Sequence, residues 1–68
     1  MRQWLTDLRN KKEWNKAQTA KKLGITRQYY GDIESGDKQK RLSVPFASKI
    51  ASVFGEKVEK IIKLEMGK

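Results

Sequence analysis

Two runs of helix-forming residues separated by Gly24 constrain the fold of this chain more than any other feature of the sequence. A glycine takes a positive φ without steric cost, so a tight turn is favoured at this position. Ala20, which has a small side chain, lies where the two helices would approach most closely. Apolar residues at helical spacing supply a buried face: Ile25, Tyr30 and Ile33. The segment therefore predicts two short helices joined by a turn.

Capping residues indicate where these two helices begin, and the pair has the form of a helix-turn-helix. Asn15 is a good N-cap for a helix that ends at Leu23, because its side-chain oxygen can accept an unpaired backbone N–H. Thr26 is the same kind of signal for a helix over residues 27–34. We expect this second helix to present three polar side chains outward: Arg27, Gln28 and Asp32.

Helical periodicity continues on both sides of this unit. Residues 2–12 predict an amphipathic first helix, with Trp14 closing the core just after it. Residues 35–41 have the turn formers and the charge of an exposed loop. Ser43 caps a fourth helix that ends at Gly55 and has a proline in its first turn. The apolar stripes of these two helices are Trp4, Leu5 and Leu8, and Val44, Ala47, Ile50, Ala51 and Phe54.

Residues 57–66 predict a fifth helix, because their apolar side chains also fall at helical spacing. Those side chains are Val58, Ile61, Ile62 and Met66. The competing interpretation is a short C-terminal strand that pairs across a dimer, since Val and Ile also favour strands. With the fifth segment helical, the sequence predicts an all-α fold of five helices in one domain over residues 1–68.

The charge balance favours a polyanionic partner. The 68 residues include 16 Lys and Arg but only 8 Asp and Glu, a formal net charge of +8. Nucleic acid is the first candidate and an anionic membrane surface the second, while the alternative is a generic solubilising surface. The chain has no Cys and no His, so disulfides and a Cys/His zinc site are excluded. We expect neither a metal nor a cofactor.

Composition also limits location and chemistry. No apolar run approaches the roughly 18 residues that span a bilayer, and the N-terminus lacks the apolar core of a signal peptide. We therefore expect a cytoplasmic protein. An enzyme is not expected, because His, Cys, a phosphate-cradling glycine loop and a convincing acid pair are lacking. RNA is a weaker candidate than DNA, since the paired aromatic motifs of common RNA modules are also lacking.

Four short patterns occur in an order that is specific when they are taken together. They are Leu5-x-x-Leu8-Arg9, Ala20-Lys21-Lys22-Leu23-Gly24-Ile25-Thr26, Tyr30-x-x-Ile33-Glu34-x-Gly36 and Ala47-x-x-Ile50-Ala51. In these patterns nearly the whole chain resembles the Cro/C1-type helix-turn-helix family, the lambda-repressor-like domains of phage repressors and xenobiotic-response-element-type bacterial regulators. The resemblance implies a compact five-helix domain that binds double-stranded DNA in the major groove.

Two positions and one loop depart from the common pattern of that family. Lys16 stands where the family often has a Gln that touches a phosphate, and a cation would keep such a contact. Glu13 stands where a glycine often follows the first helix. The loop after Gly36 is longer than the commonest form and lacks its usual Asn-Pro.

The resemblance implies that Arg27, Gln28 and Asp32 occupy base-reading positions. Arg27 offers donors suited to guanine O6 and N7, and Gln28 can pair with adenine N6 and N7. Asp32 either accepts from cytosine N4 or orients Arg27. Tyr29 should face the DNA, as a phosphate donor or a thymine-methyl contact; the alternative is an aromatic lid over the turn. Tyr30 points the other way, into the core.

Other residues are expected to supply affinity without reading sequence. Phosphate contacts should come from the start of the helix-turn-helix and from the following loop: Lys16, Gln18, Thr26, Lys38, Lys40 and Arg41. The alternative for the loop is a solvated run of charge. Gly31 lowers helix propensity, and our hypothesis is that a small residue is needed there for close approach of DNA or of the preceding helix.

The resemblance further implies a structural ion pair, Arg9 with Glu34, between the first and third helices. The function that follows is a sequence-specific transcriptional regulator, most simply a repressor of phage or mobile-element type that binds an inverted repeat as a dimer. Five apolar residues are available for dimer contacts, although most should belong to the core: Phe46, Val58, Ile61, Ile62 and Met66. The alternative is an antitoxin-like protein-binding module that uses DNA binding for autoregulation.

Overall fold

The chain folds as five α-helices in a computed structural model, which describes residues 1–67. The helices are α1 (Gln3–Lys11), α2 (Lys16–Leu23), α3 (Arg27–Ser35), α4 (Val44–Phe54) and α5 (Val58–Met66). The predicted all-α fold is confirmed, and every helix begins and ends within one residue of its predicted bounds. The alternative of a C-terminal strand is wrong: its residues are helical, and residues 1–67 contain no strand.

Side-chain caps begin the three central helices, as the sequence predicts. The Asn15 side chain accepts from the Gln18 backbone N–H at 2.7 Å, and Gln18 Oε1 accepts from the Asn15 N–H at 2.8 Å. This reciprocal pair is a capping box that the sequence analysis did not identify. Thr26 Oγ1 accepts from the Tyr29 N–H at 3.0 Å, and Ser43 caps α4 in the same way. Local chemistry therefore accounts for where these helices begin.

Left-handed backbone conformations form the two connections around α2. Gly24 has φ +74° and ends α2, so the predicted turn is confirmed. Glu13 has φ +60° in the connection between α1 and α2. A residue with a Cβ pays a steric cost in this conformation, whereas glycine does not. Glu13 thus adopts a backbone conformation for which the family's frequent glycine is better suited.

One apolar core is shared by all five helices. Its buried residues are Leu5, Ala20, Leu23, Tyr30, Ile33, Ala47, Ile50, Ala51, Phe54 and Ile61. Trp14 packs on the edge of this core with its ring 5.4 Å from that of Phe54, as expected, while Ile25 is half-buried. The assignment of Val44 to the buried stripe is wrong, because its side chain is 62% exposed. Val44 is the first residue of α4, ahead of the turns that pack on neighbouring helices.

The packing of the helices leaves the outer side of α3 open. α2 packs mainly on α3, and α4 mainly on α5, while α4 also contacts α2 and α1 contacts α3. α3 is therefore supported from within by two helices and exposes its other side. None of the helices in the described part of the chain has the length and apolar character needed to cross a bilayer.

Candidate nucleic-acid interface

The exposed side of α3 and the start of α2 form one shallow surface depression. Its lining is almost wholly polar: Lys16, Arg27, Gln28, Gly31, Asp32, Ser35 and Asp37. The opposite side of α3 anchors it, since Tyr30 and Ile33 are fully buried. The structure thus brings together three of the four predicted base-reading residues and one predicted phosphate contact. We name this depression, with its seven lining residues, the α2–α3 face.

Within the α2–α3 face, an amide and a carboxylate side chain lie one helical turn apart. Gln28 Nε2 donates to Asp32 Oδ1 across 3.4 Å. The sequence left open whether Asp32 would orient Arg27, but its hydrogen-bonded partner here is Gln28. The contact spans i to i+4 and is exposed, so it favours one orientation of the Gln28 amide and leaves that amide accessible. Arg27 and Lys16 line the same depression as this pair.

Tyr29 lies at the edge of α3 rather than within the α2–α3 face. Its ring is half-buried and packs against the core, and its hydroxyl accepts from Gln39 Nε2 at 2.9 Å. The phenol is therefore directed towards the loop between α3 and α4. Its own proton is still free to donate to an outside acceptor such as a phosphate oxygen.

Gly31 has open space on its outer side. Apart from its two chain neighbours and the backbone of α3 itself, a Cβ built on Gly31 would meet no atom of the described residues within 4 Å. Close packing of α2 against α3 therefore does not require a glycine at this position. Of the two reasons proposed from the sequence, close approach of DNA is the one compatible with this geometry.

Two of the predicted phosphate contacts also serve as helix caps. Gln18 uses its Oε1 in the capping box of α2, so the Nε2 of this exposed side chain can still donate to another group. Thr26 Oγ1 accepts from a backbone N–H, so its hydroxyl proton can still be donated. Lys16 is exposed in the first turn of α2, beside the backbone N–H groups that begin this helix. The start of α2 therefore combines a cation with unpaired amide donors, which suits a phosphate.

The loop between α3 and α4 carries the remaining predicted contacts, Lys38, Lys40 and Arg41, and all three are exposed. Lys40 and Arg41 do not line the α2–α3 face. They border a second groove, whose other lining residues are mostly apolar: Leu42, Val44, Ala47, Ile62, Glu65 and Met66. Lys40 and Arg41 therefore lie outside the α2–α3 face, and the loop contacts Tyr29 of α3 through Gln39.

The predicted pairing of Arg9 with Glu34 is present between α1 and α3. Arg9 Nε lies 2.7 Å from Glu34 Oε2, and the Glu34 side chain is only 4% exposed. Burial opposes ionisation of Glu34, but the hydrogen bond from Arg9 and the neighbouring hydroxyls of Tyr30 and Thr6 outweigh it. The pKa of Glu34 is consequently below its usual range. The hydrogen bond to Glu34 likewise raises the pKa of Arg9.

Sequence reasoning missed Arg2, a buried cation that is only 3% exposed. Its guanidinium pairs with Glu65 of α5 at 3.0 Å and also reaches backbone carbonyls of α3 and of the α3–α4 loop. Trp4 Nε1 donates to the same carboxylate at 3.1 Å. A charged residue at the start of an amphipathic helix gives no sequence signal of burial, because most arginines in that position are solvated.

Comparison with protein families found a match. The model of a helix-turn-helix family matches residues 5–61, which include all of α2, α3 and α4 and the α2–α3 face. Comparison of the chain with curated proteins and with solved structures found no match.

Proposed function

The chain belongs to the Cro/C1-type helix-turn-helix family, and from this premise we propose how it acts as a DNA-binding transcriptional regulator. The family is one of DNA-binding regulatory domains and not of enzymes. The protein recognises a specific sequence in double-stranded DNA and represses transcription by occluding the polymerase. We assign residues 1–68 to one domain, place its helix-turn-helix core at about residues 16–35, and propose that it acts in the cytoplasm.

One observation carries this proposal: the grouping of Lys16, Arg27, Gln28 and Asp32 on the α2–α3 face. Helix-turn-helix proteins place the first turns of the second helix against base edges while the first helix crosses the backbone. Arg27 and Gln28 are the first two residues of α3, so they would enter the groove first. The start of α2, with Lys16, would then meet a phosphate.

Each polar group of the α2–α3 face suits a particular target. The Arg27 guanidinium can donate two parallel hydrogen bonds to guanine O6 and N7. The Gln28 amide can pair with adenine, and Asp32 holds that amide from one turn away. Asp32 could alternatively accept from cytosine N4, in which case it would release Gln28 on binding.

We further propose that two copies bind an inverted repeat. A single recognition helix covers few base pairs, and dimers of such domains read half-sites about one helical turn apart. Of the five apolar residues considered for contacts, Ile61 is fully buried, while Phe46, Val58 and Ile62 are half-buried. Met66 is 79% exposed. The exposed edge of α5 is therefore the candidate dimer contact, and Met66 is its most accessible residue.

Selection from a random duplex library tests this proposal. We expect enrichment of an inverted repeat, and Arg27→Ala or Gln28→Ala should each relax the preference at one position of both half-sites. Removing either bidentate interaction should cost about 1–3 kcal/mol of discrimination. Lys57→Ala is the control for Arg27→Ala, because it removes the same charge at the start of α5 and away from the α2–α3 face.

Failure to enrich any sequence, with weak binding of all duplexes and one common salt slope, would contradict sequence-specific recognition.

In that case the second candidate function, an antitoxin-like module that binds a protein, gains weight. The observation that favours it is the apolar groove bordered by Lys40 and Arg41, with Val44 and Met66 exposed. Analytical sedimentation of the wild type and of the Met66→Glu variant tests whether this side of α5 forms a dimer contact. A wild-type dimer that the substitution dissociates would indicate a dimer contact, whereas an unchanged sedimentation coefficient would indicate an unoccupied surface.

A further inference from the structure

Arg2 joins three segments of the chain through one buried guanidinium. Its Nη1 donates to the Ile33 carbonyl of α3 at 2.6 Å and to the Lys38 carbonyl at 3.3 Å. Its Nη2 donates to the Gln39 carbonyl and, at 3.0 Å, to Glu65 Oε2. Its Nε donates to Glu65 Oε1 at 3.0 Å. The guanidinium therefore fastens the α3–α4 loop to the end of α3 and to α5.

Gln39 is the residue at which the loop is held from both sides. Arg2 binds its backbone carbonyl, while its side-chain amide donates to the Tyr29 hydroxyl at 2.9 Å. Its backbone is left-handed, with φ +53°, a conformation that is costly for a residue with a Cβ. Such a conformation persists when surrounding contacts determine it, and the contacts here come from Arg2 and from α3.

The loop cations lie on either side of this held residue. Lys38 and Lys40 flank Gln39, Arg41 follows, and all three side chains are exposed. Because Gln39 contacts Tyr29 in the first turn of α3, the loop runs back along α3 towards the end that would enter the groove. Ordering a loop on binding costs free energy, so a loop that is already held makes its phosphate contacts at lower cost.

We propose that Arg2 is a positioning residue for DNA binding, which holds the α3–α4 loop so that Lys38, Lys40 and Arg41 meet phosphates flanking the recognition helix. Glu65 assists by keeping the guanidinium in place. This inference rests on the DNA-binding function proposed above. A merely structural Arg2 would change stability, whereas a positioning Arg2 also changes how many phosphates are neutralised.

A matched pair of glutamate variants on α5 provides the first test. Glu65→Gln removes the charge that holds Arg2, while Glu59→Gln makes the same change at an exposed residue with no ion pair among residues 1–67. Affinity for one duplex is measured against salt concentration. We expect Glu59→Gln to keep the wild-type slope and Glu65→Gln to lower it by about 0.9 for each phosphate that the loop no longer neutralises. Equal slopes for the two variants would overturn the proposal.

A double-mutant cycle provides the second test. Arg2→Ala should weaken duplex binding about tenfold in the wild type, but by less than about twofold when Lys38, Lys40 and Arg41 are all changed to Gln. An equal loss of affinity in both backgrounds would show that Arg2 does not act through the loop. If Arg2→Ala fails to fold, the glutamate pair still decides. If the wild type binds no duplex even at low salt, the proposed function fails, not only the role of Arg2.

Discussion

Glu13 and Gly31 are two residues at which the local backbone and the residue type are poorly matched. Glu13 has φ +60°, where a glycine would be free of steric cost. Gly31 lies inside a helix, where glycine is unfavourable, although a Cβ would have open space around it. The first mismatch concerns only stability, whereas we attribute the second to DNA binding.

Replacing Glu13 with glycine should stabilise the protein. Relief of the left-handed strain, partly offset by the greater freedom of glycine in the unfolded chain, should raise the free energy of unfolding by about 0.5–1 kcal/mol. Urea denaturation measures this change. Glu13→Ala is the control, because it removes the charge and keeps the Cβ; stabilisation by alanine as large as by glycine would refute the strain argument.

Two substitutions of Gly31 separate stability from binding. Gly31→Ala should raise the free energy of unfolding by up to about 1 kcal/mol, because helix propensity improves and no contact is crowded. Gly31→Leu should leave the domain folded but weaken duplex binding about tenfold or more, since a large side chain would stand on the α2–α3 face. Thermal melts and titrations of both variants test this, and unchanged affinity of the leucine variant would sink the hypothesis.

At the scale of the elements, α3 is braced on its inner side while its outer side stays available. Tyr30 and Ile33 anchor it in the core, and Arg9 of α1 pairs with Glu34 near its end. Removing one partner of a buried ion pair leaves the other charge uncompensated, which is costly. The brace and the α2–α3 face should therefore respond differently to mutation.

Glu34→Ala should lower the free energy of unfolding by about 3 kcal/mol, and with it the Tm by more than about 10 °C. DNA binding would fall as a consequence of unfolding. Arg27→Ala removes an exposed charge of the same helix and should lower affinity while leaving the Tm nearly unchanged. Thermal melts followed by circular dichroism compare the two variants, and equal shifts in Tm would contradict the assignment of roles.

At the scale of the whole molecule, buried ionisable groups limit the pH range of stability. The pKa of Glu34 is lowered, so its stabilisation is complete above the unfolded value of about 4.3 and is lost as the pH falls through the folded value. Burial raises the pKa of Tyr30, so its hydroxyl stays protonated when unfolded tyrosine ionises at about pH 10. Stability should decline again above that pH.

We therefore expect the free energy of unfolding to be nearly constant between about pH 5 and pH 9.5 and to fall on both sides. Urea denaturation across this range measures it. Glu34→Gln should flatten the acid side, and Tyr30→Phe, which keeps the buried ring, should flatten the alkaline side. An alkaline decline of wild-type steepness in the phenylalanine variant would exclude Tyr30 as its cause.

Local signals along the chain were enough to define the five helices, the turn and the family. Capping residues act over three or four positions, and helical periodicity is equally local, so Asn15, Thr26, Ser43 and Gly24 marked their boundaries without reference to the rest of the chain. The ordered patterns that carry the family resemblance are also properties of the chain alone. The predicted ion pair of Arg9 with Glu34 came from that resemblance.

The burial of polar residues and the identity of their partners, by contrast, depended on how the helices pack together. Arg2 and Glu65 are 63 residues apart, and Gln39 and Tyr29 meet only because the loop turns back along α3. The spacing of Val44 fits the apolar stripe of α4, but its side chain is exposed because no other helix covers it. Side-chain type and spacing along one helix carry no information about the packing of separate helices, so these contacts could be found only in the folded molecule.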